Sequence, residues 1–346
     1  MKIHNVAASF PSRTVSNAEV VELVRLHSKN HQGDLDCSLL VVKTLLDRSG
    51  LVSRRWCAPG EHAIDHLRKA ATEALGHSGL AARDVELFIY VGIGGGFREP
   101  ANSYMVARSL GFTRAECFDV TDACMSWTRA MSLVDSLFKT RHLRSAMIVN
   151  AEFNMTAGGP LFPANFSLEN AQQLEYMLPS YTIGEVATAT LLVPDAPDNF
   201  RFTFHSRPEW AELCTIPGAG YDGFSTPDLK IGALGVGRFT AWGAELHARL
   251  EEELPLLIEK AGIEGYGADI VFTHSSSSTE WQKAVEKHGL ARNVFHVYPH
   301  TGNIVSASIP AAIACAEKQG RIKRGDDVLF LMGSAGMSFA ATTFTY

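Results

Sequence analysis

The amino-acid sequence predicts an α/β fold with a parallel or mixed sheet, built from two similar halves. Residues 85–91 form a short, almost continuous apolar run, which is typical of a strand buried on both faces. Such runs alternate with segments whose apolar residues follow helical spacing. Three strand-like runs of the first half recur, with similar composition, about 180 residues later. The matched pairs are 85–91 with 268–273, 116–120 with 294–297, and 145–149 with 327–332.

Each element follows from a local pattern. Residues 1–10 predict a strand, and Ser16 is a suitable N-cap for the first helix because Glu19 completes a capping-box pattern. Apolar residues at helical spacing predict further helices at 39–46, 102–110, 126–139 and 304–318.

The segment 155–182 interrupts the alternation of strands and helices. It is rich in proline, glycine, asparagine and aromatic residues, which predicts an insertion or a long loop, often a functional one. We therefore expect an N-terminal half, 1–183, that carries this insertion and a C-terminal half, 184–346. A chain of 346 residues is long enough for two domains or for one large domain with two related halves.

Composition excludes several classes of function. A net charge of -6 at pH 7, without any run rich in lysine or arginine, argues against a nucleic-acid-binding protein. No apolar stretch reaches the roughly 18–20 residues of a membrane span, and the N-terminus lacks a signal-peptide profile. The six cysteines include no Cys-x-x-Cys pair, which indicates reduced thiols. We expect a cytoplasmic protein.

Cys124 lies where a predicted strand, 116–120, gives way to a predicted helix, 126–139. A thiol at this position lies near the positive end of the helix dipole and beside unpaired backbone N–H groups, which favour the thiolate. Strand-to-helix turns also present nucleophiles for attack. A buried, inert cysteine is the more frequent alternative for a cysteine taken alone, so a catalytic interpretation needs partners elsewhere.

Three candidate partners follow strands of the second half. His274 comes directly after the apolar run 268–273, and ligands gather at the carboxyl ends of such strands. Asn303 lies in the turn that matches the Cys124 turn, and the backbone amide of Gly336 belongs to a glycine-bearing turn suited to an oxyanion. Taken alone, each has a plain alternative: a strand-end histidine, a helix cap and a tight turn. Their convergence on one pocket with Cys124 favours catalysis.

Two other patterns carry little weight. Phe97 stands where a dinucleotide fingerprint beginning at Gly92 requires its third glycine. His296 and His300 are separated by Pro299, so they do not share a helical face as a metal-binding pair would. The sequence predicts no metal site.

These residues and the motifs around them resemble those of a known enzyme family. The chain resembles the thiolase-superfamily condensing enzymes of the β-ketoacyl-ACP synthase III type, nearly from end to end and least over 24–45 and 155–182. The motifs that carry it are Asp122-Ala-Cys124-Met, Thr273-His274, Gly302-Asn303-Ile-Val-Ser-Ala-Ser-Ile-Pro310 and Gly333-Ser-Ala-Gly336.

The resemblance implies a thiolase fold, with duplicated βαβαβαββ halves in a five-layered α-β-α-β-α sandwich, and usually an obligate homodimer. It implies that Cys124 takes an acyl group from acyl-CoA or an acyl carrier protein as a thioester, with no tightly bound cofactor. His274 and Asn303 would then assist attack by a second acyl thioester, donating hydrogen bonds to the enolate oxygen. The amides of Cys124 and Gly336 would form the oxyanion hole.

The chain departs from this pattern at several positions. The family's usual His-Gln-Ala-Asn is His274-Ser-Ser-Ser277 here, and Met337 replaces a glycine. A tryptophan that stacks on the adenine of CoA is replaced by Thr44, whereas the arginine that follows it is retained as Arg48. Arg48 is therefore the candidate for binding the donor, and a carrier-protein donor is favoured.

Glu99-Pro100, ahead of Cys124, is similar to the Glu-Pro of head-to-head acyl-condensing thiolases and HMG-CoA synthases. In those enzymes the glutamate deprotonates the acceptor Cα, in the head-to-head enzymes from across the dimer. A dry pocket would raise the pKa of such a carboxyl group and suit it to that role. The plain alternative is a turn glutamate before a proline.

The sequence thus predicts C–C bond formation by Claisen condensation through an acyl-Cys124 intermediate, in fatty acid, polyketide or secondary-metabolite biosynthesis. Two alternatives remain. One is an acyltransferase of the same fold that forms an ester or amide. The other is a non-catalytic partner subunit that binds an acyl carrier.

Overall fold

The computed structural model describes residues 1–76, 78–195 and 199–346. The strands are β1 (Lys2–Ser9), β2 (Arg13–Ser16), β3 (Ser53–Trp56), β4 (Leu87–Val91), β5 (Glu116–Val120), β6 (Ala146–Glu152), β7 (Val186–Val193), β8 (Arg201–Ser206), β9 (Cys214–Thr215), β10 (Thr240–Ala241), β11 (Ile270–Thr273), β12 (Val294–Phe295), β13 (Asp327–Ser334) and β14 (Ser338–Thr345). The helices are α1 (Asn17–His27), α2 (Leu35–Arg48), α3 (Ala63–Leu75), α4 (Asn102–Leu110), α5 (Ser126–Arg141), α6 (Leu174–Met177), α7 (Gly243–Ala261), α8 (Ser278–Lys287), α9 (Tyr298–Thr301) and α10 (Ser308–Lys318).

Two five-stranded sheets share one connectivity. The first has the order β1-β7-β6-β4-β5 and the second, taken from its other edge, β8-β14-β13-β11-β12. In each sheet three neighbouring strands are parallel, namely β6, β4 and β5 in the first and β13, β11 and β12 in the second. The next strand, β7 or β14, runs antiparallel to both of its neighbours. Each half therefore follows the order βαβαβαββ, and the three pairs of runs matched in the sequence occupy equivalent strands.

The sheets and helices form five layers because neighbouring residues of a buried strand face opposite sides of the sheet. In β4, Leu87 and Ile89 pack into the central core, whereas Phe88 and Tyr90 pack against α3 and α4 outside. The central core also holds apolar side chains of α5 and α10 and of the second sheet. Helices α7 and α8 cover the far face of that sheet.

The first structural unit is longer than the sequence indicated. Strand β7 pairs with β1 and β6, so it completes the first sheet. The predicted boundary at 183/184 therefore lies too early, because β7 carries the first unit through Val193 and the second sheet begins at β8. Composition could not show this, since the antiparallel return strand follows directly after the 155–182 segment.

The 155–182 segment packs with the N-terminal hairpin and helices. Met155, Leu161 and Phe166 share an apolar cluster with residues of α1, α2 and β3. Helix α1 begins as predicted: Ser16 accepts a hydrogen bond from the backbone of Glu19, whose side chain accepts from the backbone of Ser16. Within the described residues, no helix is long and apolar enough to cross a membrane.

Candidate active site

A large cavity lies at the carboxyl ends of the parallel strands, where the two halves meet. Its volume is about 1260 Å³, and Cys124, His274 and Asn303 all line it. Gly333, Ser334 and Ala335 from the end of β13 complete this part of the wall. The structure therefore brings the three predicted catalytic side chains to one space, with Cys124 about 150–180 residues away from the other two in the chain.

Cys124 ends the turn between β5 and α5, whose helical residues begin at Ser126. The backbone of Ala123 has φ 46°, which is uncommon for a residue other than glycine and is typical of a strained turn that presents a nucleophile. Ser126 stabilises the turn: its hydroxyl accepts from the amide of Asp122 (2.8 Å) and donates to the carbonyl of Ala123 (2.7 Å).

Burial opposes the thiolate that the helix start favours at Cys124. Burial raises the pKa of this thiol well above its usual value, and nearby Cys214 and Glu152 raise it further. A hydrogen bond from Ser334 and the backbone amide of Cys124 itself lower the pKa, but burial has the larger effect. The short reach of the helix dipole does not compensate for the dry surroundings, so the thiol needs a base.

Ser334 is a contact that the sequence did not predict. Its hydroxyl accepts from the amide of Met125 at 3.2 Å, donates to the carbonyl of Asp122 at 3.4 Å, and lowers the pKa of the neighbouring Cys124 thiol. Ser334 and Met125 lie 209 positions apart, so one half of the fold supports the nucleophile of the other. The sequence pattern indicated the glycine-bearing turn around Ser334 only as a source of backbone N–H groups for an oxyanion.

His274 is neutral. Burial lowers its pKa to about 3, and the nearby His247 adds a smaller decrease. Its Nδ1 lies 3.1 Å from the hydroxyl of Ser308, which in turn lies 2.7 Å from the carbonyl of Val305. The hydroxyl has only one proton, so two tautomers fit this network. When the hydroxyl donates to Val305, Nδ1 carries the ring proton and Nε2 has a free lone pair; when it donates to Nδ1, Nε2 carries the ring proton.

The tautomer decides what Nε2 of His274 can do in the cavity. With the proton on Nδ1, Nε2 can accept a proton from a thiol; with the proton on Nε2, it can donate a hydrogen bond to an enolate oxygen, as the resemblance implies. Ser275 belongs to the same network, because its hydroxyl accepts from the amide of Ile304 and lies 2.6 Å from Ser308. The network fixes the orientation of the His274 ring.

Asn303 is held by backbone from the first half. Its amide donates to the carbonyl of Thr182 (2.8 Å), and its carbonyl accepts from the amide of Gly184 (2.9 Å). The side-chain oxygen accepts from the amide of Val305 at 2.9 Å. With Oδ1 occupied in this way, Nδ2 is the group of Asn303 that is left to donate to a negative oxygen in the cavity.

The other predicted site residues differ in their position relative to the cavity: these are Gly336, Glu99 and Arg48. Residues on both sides of Gly336 line the cavity, but Gly336 itself does not, and its φ is 118°. Arg48 lines the cavity and is exposed, at the end of α2. Glu99 is exposed and does not line the cavity of its own chain, although Arg98 does. The dry environment expected around Glu99 is therefore not present in the single chain.

Glu152 is a buried carboxyl group that the sequence analysis missed. It ends β6, accepts hydrogen bonds from the amide of Gly94 (3.2 Å) and from Asn154 (3.1 Å), and bonds to the hydroxyl of Ser306. Burial raises its pKa. The available signal was its place at the carboxyl end of an apolar strand, the same signal that identified His274.

The apolar wall of the cavity comes from three regions. It includes Val41 and Leu45 of α2, Leu246 and Leu250 of α7, and side chains of the 155–182 segment, namely Leu161, Ala171, Leu174, Leu178, Pro179 and Thr182. The cavity is larger than the roughly 300–1,000 Å³ of ordinary small-molecule pockets. Its size and apolar walls suit long hydrocarbon chains.

Comparison with known proteins agrees with this fold. The family model for the C-terminal part of 3-oxoacyl-[acyl-carrier-protein] synthase III matches residues 258–346. The β-ketoacyl-[acyl-carrier-protein] synthase III of Clostridium beijerinckii is 23% identical over 348 residues, which cover 99% of this chain and 98% of that protein. Its counterpart from Rhodospirillum centenum is 25% identical over 347 residues, covering 96% and 95%.

Solved structures show the same fold. OleA of Xanthomonas campestris, with bound lauric acid and lauroyl-CoA, has a TM-score of 0.78 at 18% identity, covering 99% of this chain and 98% of that one. The 3-oxoacyl-[acyl-carrier-protein] synthase III of Aquifex aeolicus has a TM-score of 0.76 at 20% identity, covering 100% and 99%.

Fold and sequence together define a condensing enzyme of the thiolase superfamily. Within that superfamily, the chain is similar to the β-ketoacyl-[acyl-carrier-protein] synthase III enzymes, and it is a condensing enzyme of acyl thioesters. The predictions of a thiolase fold and of an acyl-thioester condensing activity are confirmed. The roles of individual residues and the homodimer stay predictions.

Proposed function

We propose that the protein joins two acyl thioesters by Claisen condensation through an acyl-Cys124 intermediate. The observation that carries the proposal is the meeting of Cys124, His274 and Asn303 in one large, mostly apolar cavity. The named relatives are β-ketoacyl-[acyl-carrier-protein] synthases, so acyl-CoA and acyl carrier protein are the proposed donors and acceptors.

The first half-reaction loads the cysteine. Nε2 of His274 accepts the thiol proton as the sulfur of Cys124 attacks the thioester carbonyl. The tetrahedral oxyanion is stabilised by the backbone amides of Cys124 and Gly336. Its collapse expels the CoA or carrier thiolate, which takes the proton from Nε2, so that His274 is neutral again and Cys124 carries the acyl group.

The second half-reaction forms the C–C bond. The acceptor thioester becomes an enolate by losing CO2 from a malonyl group or by losing a proton from Cα. Nδ2 of Asn303 donates a hydrogen bond to the enolate oxygen, and the carbanion attacks the acyl carbonyl on Cys124. The sulfur leaves as thiolate, which is reprotonated.

Glu99 is the proposed base for the route without CO2 loss, acting in a homodimer. Its exposed position next to cavity-lining Arg98 and Phe97 leaves it free to enter the cavity of a second chain. Arg48 and Arg98, both exposed where they line the cavity, are proposed to bind the phosphate of the phosphopantetheine arm. The six free cysteines support a cytoplasmic location.

The experiment is an acylation screen read by intact-protein mass spectrometry. Wild type and Cys124→Ala are each incubated with CoA-bound and carrier-bound acyl donors of several chain lengths. The proposal requires one acyl adduct on wild type and none on Cys124→Ala. If no donor leaves an adduct, the acyl-enzyme is wrong and the non-catalytic partner subunit is favoured.

The acyltransferase alternative is supported by one observation, the position of His274 in the cavity wall beside Cys124, because an alcohol or amine nucleophile also needs a base. Acyl-loaded enzyme is therefore supplied with and without a malonyl thioester. Release of CO2 with formation of a β-ketoacyl product supports decarboxylative condensation, whereas ester or amide formation without a new C–C bond excludes condensation. A third outcome is condensation without CO2 release. If Glu99→Ala then abolishes this activity whereas Asn303→Ala only reduces it, deprotonation of the acceptor is assigned to Glu99.

A further inference from the structure

A second group of chemically active side chains lies outside the cavity, where β3 passes into α3. Cys57 directly follows β3, Glu61 lies in the connecting turn, and His66 is in the first turns of α3. The Cys57 sulfur, a Glu61 carboxylate oxygen and a His66 ring nitrogen all lie within 4.8 Å of one another. These residues do not line the catalytic cavity.

The imidazole of His66 has a fixed orientation. Its Nδ1 lies 2.9 Å from the hydroxyl of Ser9, and its ring stacks on Phe153 with centroids 5.5 Å apart. The residue is 3% exposed. Nε2 therefore faces Glu61, whose Oε1 lies 3.9 Å away. A hydrogen bond to the opposite ring nitrogen is what normally orients a metal-ligating histidine.

The carboxylate of Glu61 is held as firmly. It accepts a hydrogen bond from the amide of Ala58 at 2.7 Å and from the amide of Ser12 at 3.1 Å. Behind Cys57, the buried Glu185 accepts from the Cys57 amide at 2.7 Å. The cluster is therefore fixed by backbone on both sides, which lowers the entropy cost of binding an ion.

The charges around the cluster favour a cation. The carboxyl group of Glu61 lies beside the Cys57 sulfur, and that of Glu185 accepts from the backbone amide of Cys57. A divalent cation attracts both carboxylates and displaces the proton of a coordinating thiol into solvent.

We propose that Cys57, Glu61 and His66 bind one Zn²⁺ ion, with water as the fourth ligand. Sulfur, imidazole nitrogen and carboxylate oxygen at this spacing form a ligand set that suits zinc better than magnesium or calcium. The ion joins the end of β3 to α3. The ion also lies beside Glu185, whose carboxylate accepts from the amide of Cys57. The residue before Glu185, Gly184, donates its backbone amide to the carbonyl of Asn303. The role of the ion is to stabilise the frame behind the active site.

The test uses the full chain carrying Cys124→Ala, so that the reactive thiol of the cavity cannot bind the metal. After treatment with a chelator, the protein is titrated with Co²⁺ as a spectroscopic probe and then with Zn²⁺. We expect one equivalent of Co²⁺, an intense near-ultraviolet band from thiolate-to-cobalt charge transfer, and displacement by Zn²⁺. We also expect Zn²⁺ at 100-fold above Kd to raise Tm by at least about 3 °C.

Variants separate this site from other thiols. Cys57→Ser removes the charge-transfer band, and His66→Gln weakens Co²⁺ binding by at least about tenfold. Cys37→Ser, a change at an exposed cysteine, leaves both unchanged. Circular dichroism of the metal-free variants checks that they fold. The proposal is overturned if the charge-transfer band persists in Cys57→Ser, or if the parent protein does not bind one equivalent of Co²⁺.

A measurement without a new variant keeps the proposal testable if a substitution prevents folding. The parent protein is alkylated with iodoacetamide with and without Zn²⁺, and the labelled peptides are quantified by mass spectrometry. Zn²⁺ should slow labelling of Cys57 at least about tenfold and leave that of Cys37 unchanged. Equal labelling of Cys57 in both conditions contradicts zinc binding at this site.

Discussion

The turns at Cys124 and Asn303 are built alike but carry different side chains, to which we assign different roles. Each follows the edge strand of its sheet, β5 or β12, and precedes a helix of the central layer, α5 or α10. Each contains a non-glycine residue at positive φ, Ala123 at 46° in one and Val305 at 51° in the other. The shared backbone frame thus supports a nucleophile in one half and an amide donor in the other.

The difference lies in what holds each turn. The Cys124 turn is supported by a side chain of the second half, the hydroxyl of Ser334. The Asn303 turn is supported by backbone of the first half, at Thr182 and Gly184. Since each turn depends on the opposite half, neither half alone forms the pocket. Duplication of the fold therefore produced one active site rather than two.

Removal of the amide donor has the largest expected effect. Asn303→Ala should lower the rate of condensation about 10²–10³-fold, because it removes a donor to the enolate oxygen. Acylation of Cys124 should stay within a few-fold of wild type, since Asn303 acts in the second step. Acylation is followed by mass spectrometry and condensation by product formation. If Asn303→Ala lowered the rates of acylation and condensation equally, Asn303 would not act in the second step alone.

Glu152 tests the support of the Asn303 turn. Glu152→Ala should lower the free energy of unfolding by about 3 kcal/mol, because Ser306, Asn154 and the amide of Gly94 lose a buried partner. Glu152→Gln should cost much less, since the amide can keep part of the network. Urea denaturation of the three proteins measures both changes. Equal destabilisation by Ala and Gln would show that shape, rather than hydrogen bonding, matters here.

Ser334 tests the support of the Cys124 turn. Its hydrogen bond lowers the pKa of the thiol, so Ser334→Ala should raise that pKa and slow alkylation of Cys124 by iodoacetamide about tenfold. The effect is smaller than that of Asn303→Ala because burial, the main cause of the raised pKa, is unchanged. The alkylation rate is measured against pH, with Ser276→Ala as a control serine that also lines the cavity. An unchanged profile would contradict the hydrogen bond.

His274 gives the smallest effect, on stability against pH. Its pKa falls from 6.5 to about 3 on folding, so between these values the unfolded chain binds more protons. The contribution of His274 to stability is thus present above pH 6.5 and is lost as pH falls toward 3. His274→Asn lacks this loss, so its Tm relative to wild type should rise by a few degrees on acidification from pH 7 to pH 5. A constant difference in Tm would contradict the buried neutral imidazole.

The sequence predicted the frame of this site better than its chemistry. Buried strands are visible as apolar runs. Cys124 and Asn303 stand out because they follow matching runs of the two halves, and His274 because it follows a third. The contact between Ser334 and Met125 of the Cys124 turn joins residues 209 positions apart, and no local pattern reports it. The same limit applies to the thiol: the helix start is a local feature, whereas the burial that raises the pKa of Cys124 comes from the whole fold.

Helix α10 carries a consequence for the placement of the catalytic turns. It lies between the two sheets, and its buried residues include Ala311, Ala312, Ala314 and Ala316. These small side chains allow the two sheets to approach closely, and the sheets carry the catalytic turns. Residues of α10 do not line the cavity, so the helix acts on the two catalytic turns only through the packing of the central layer.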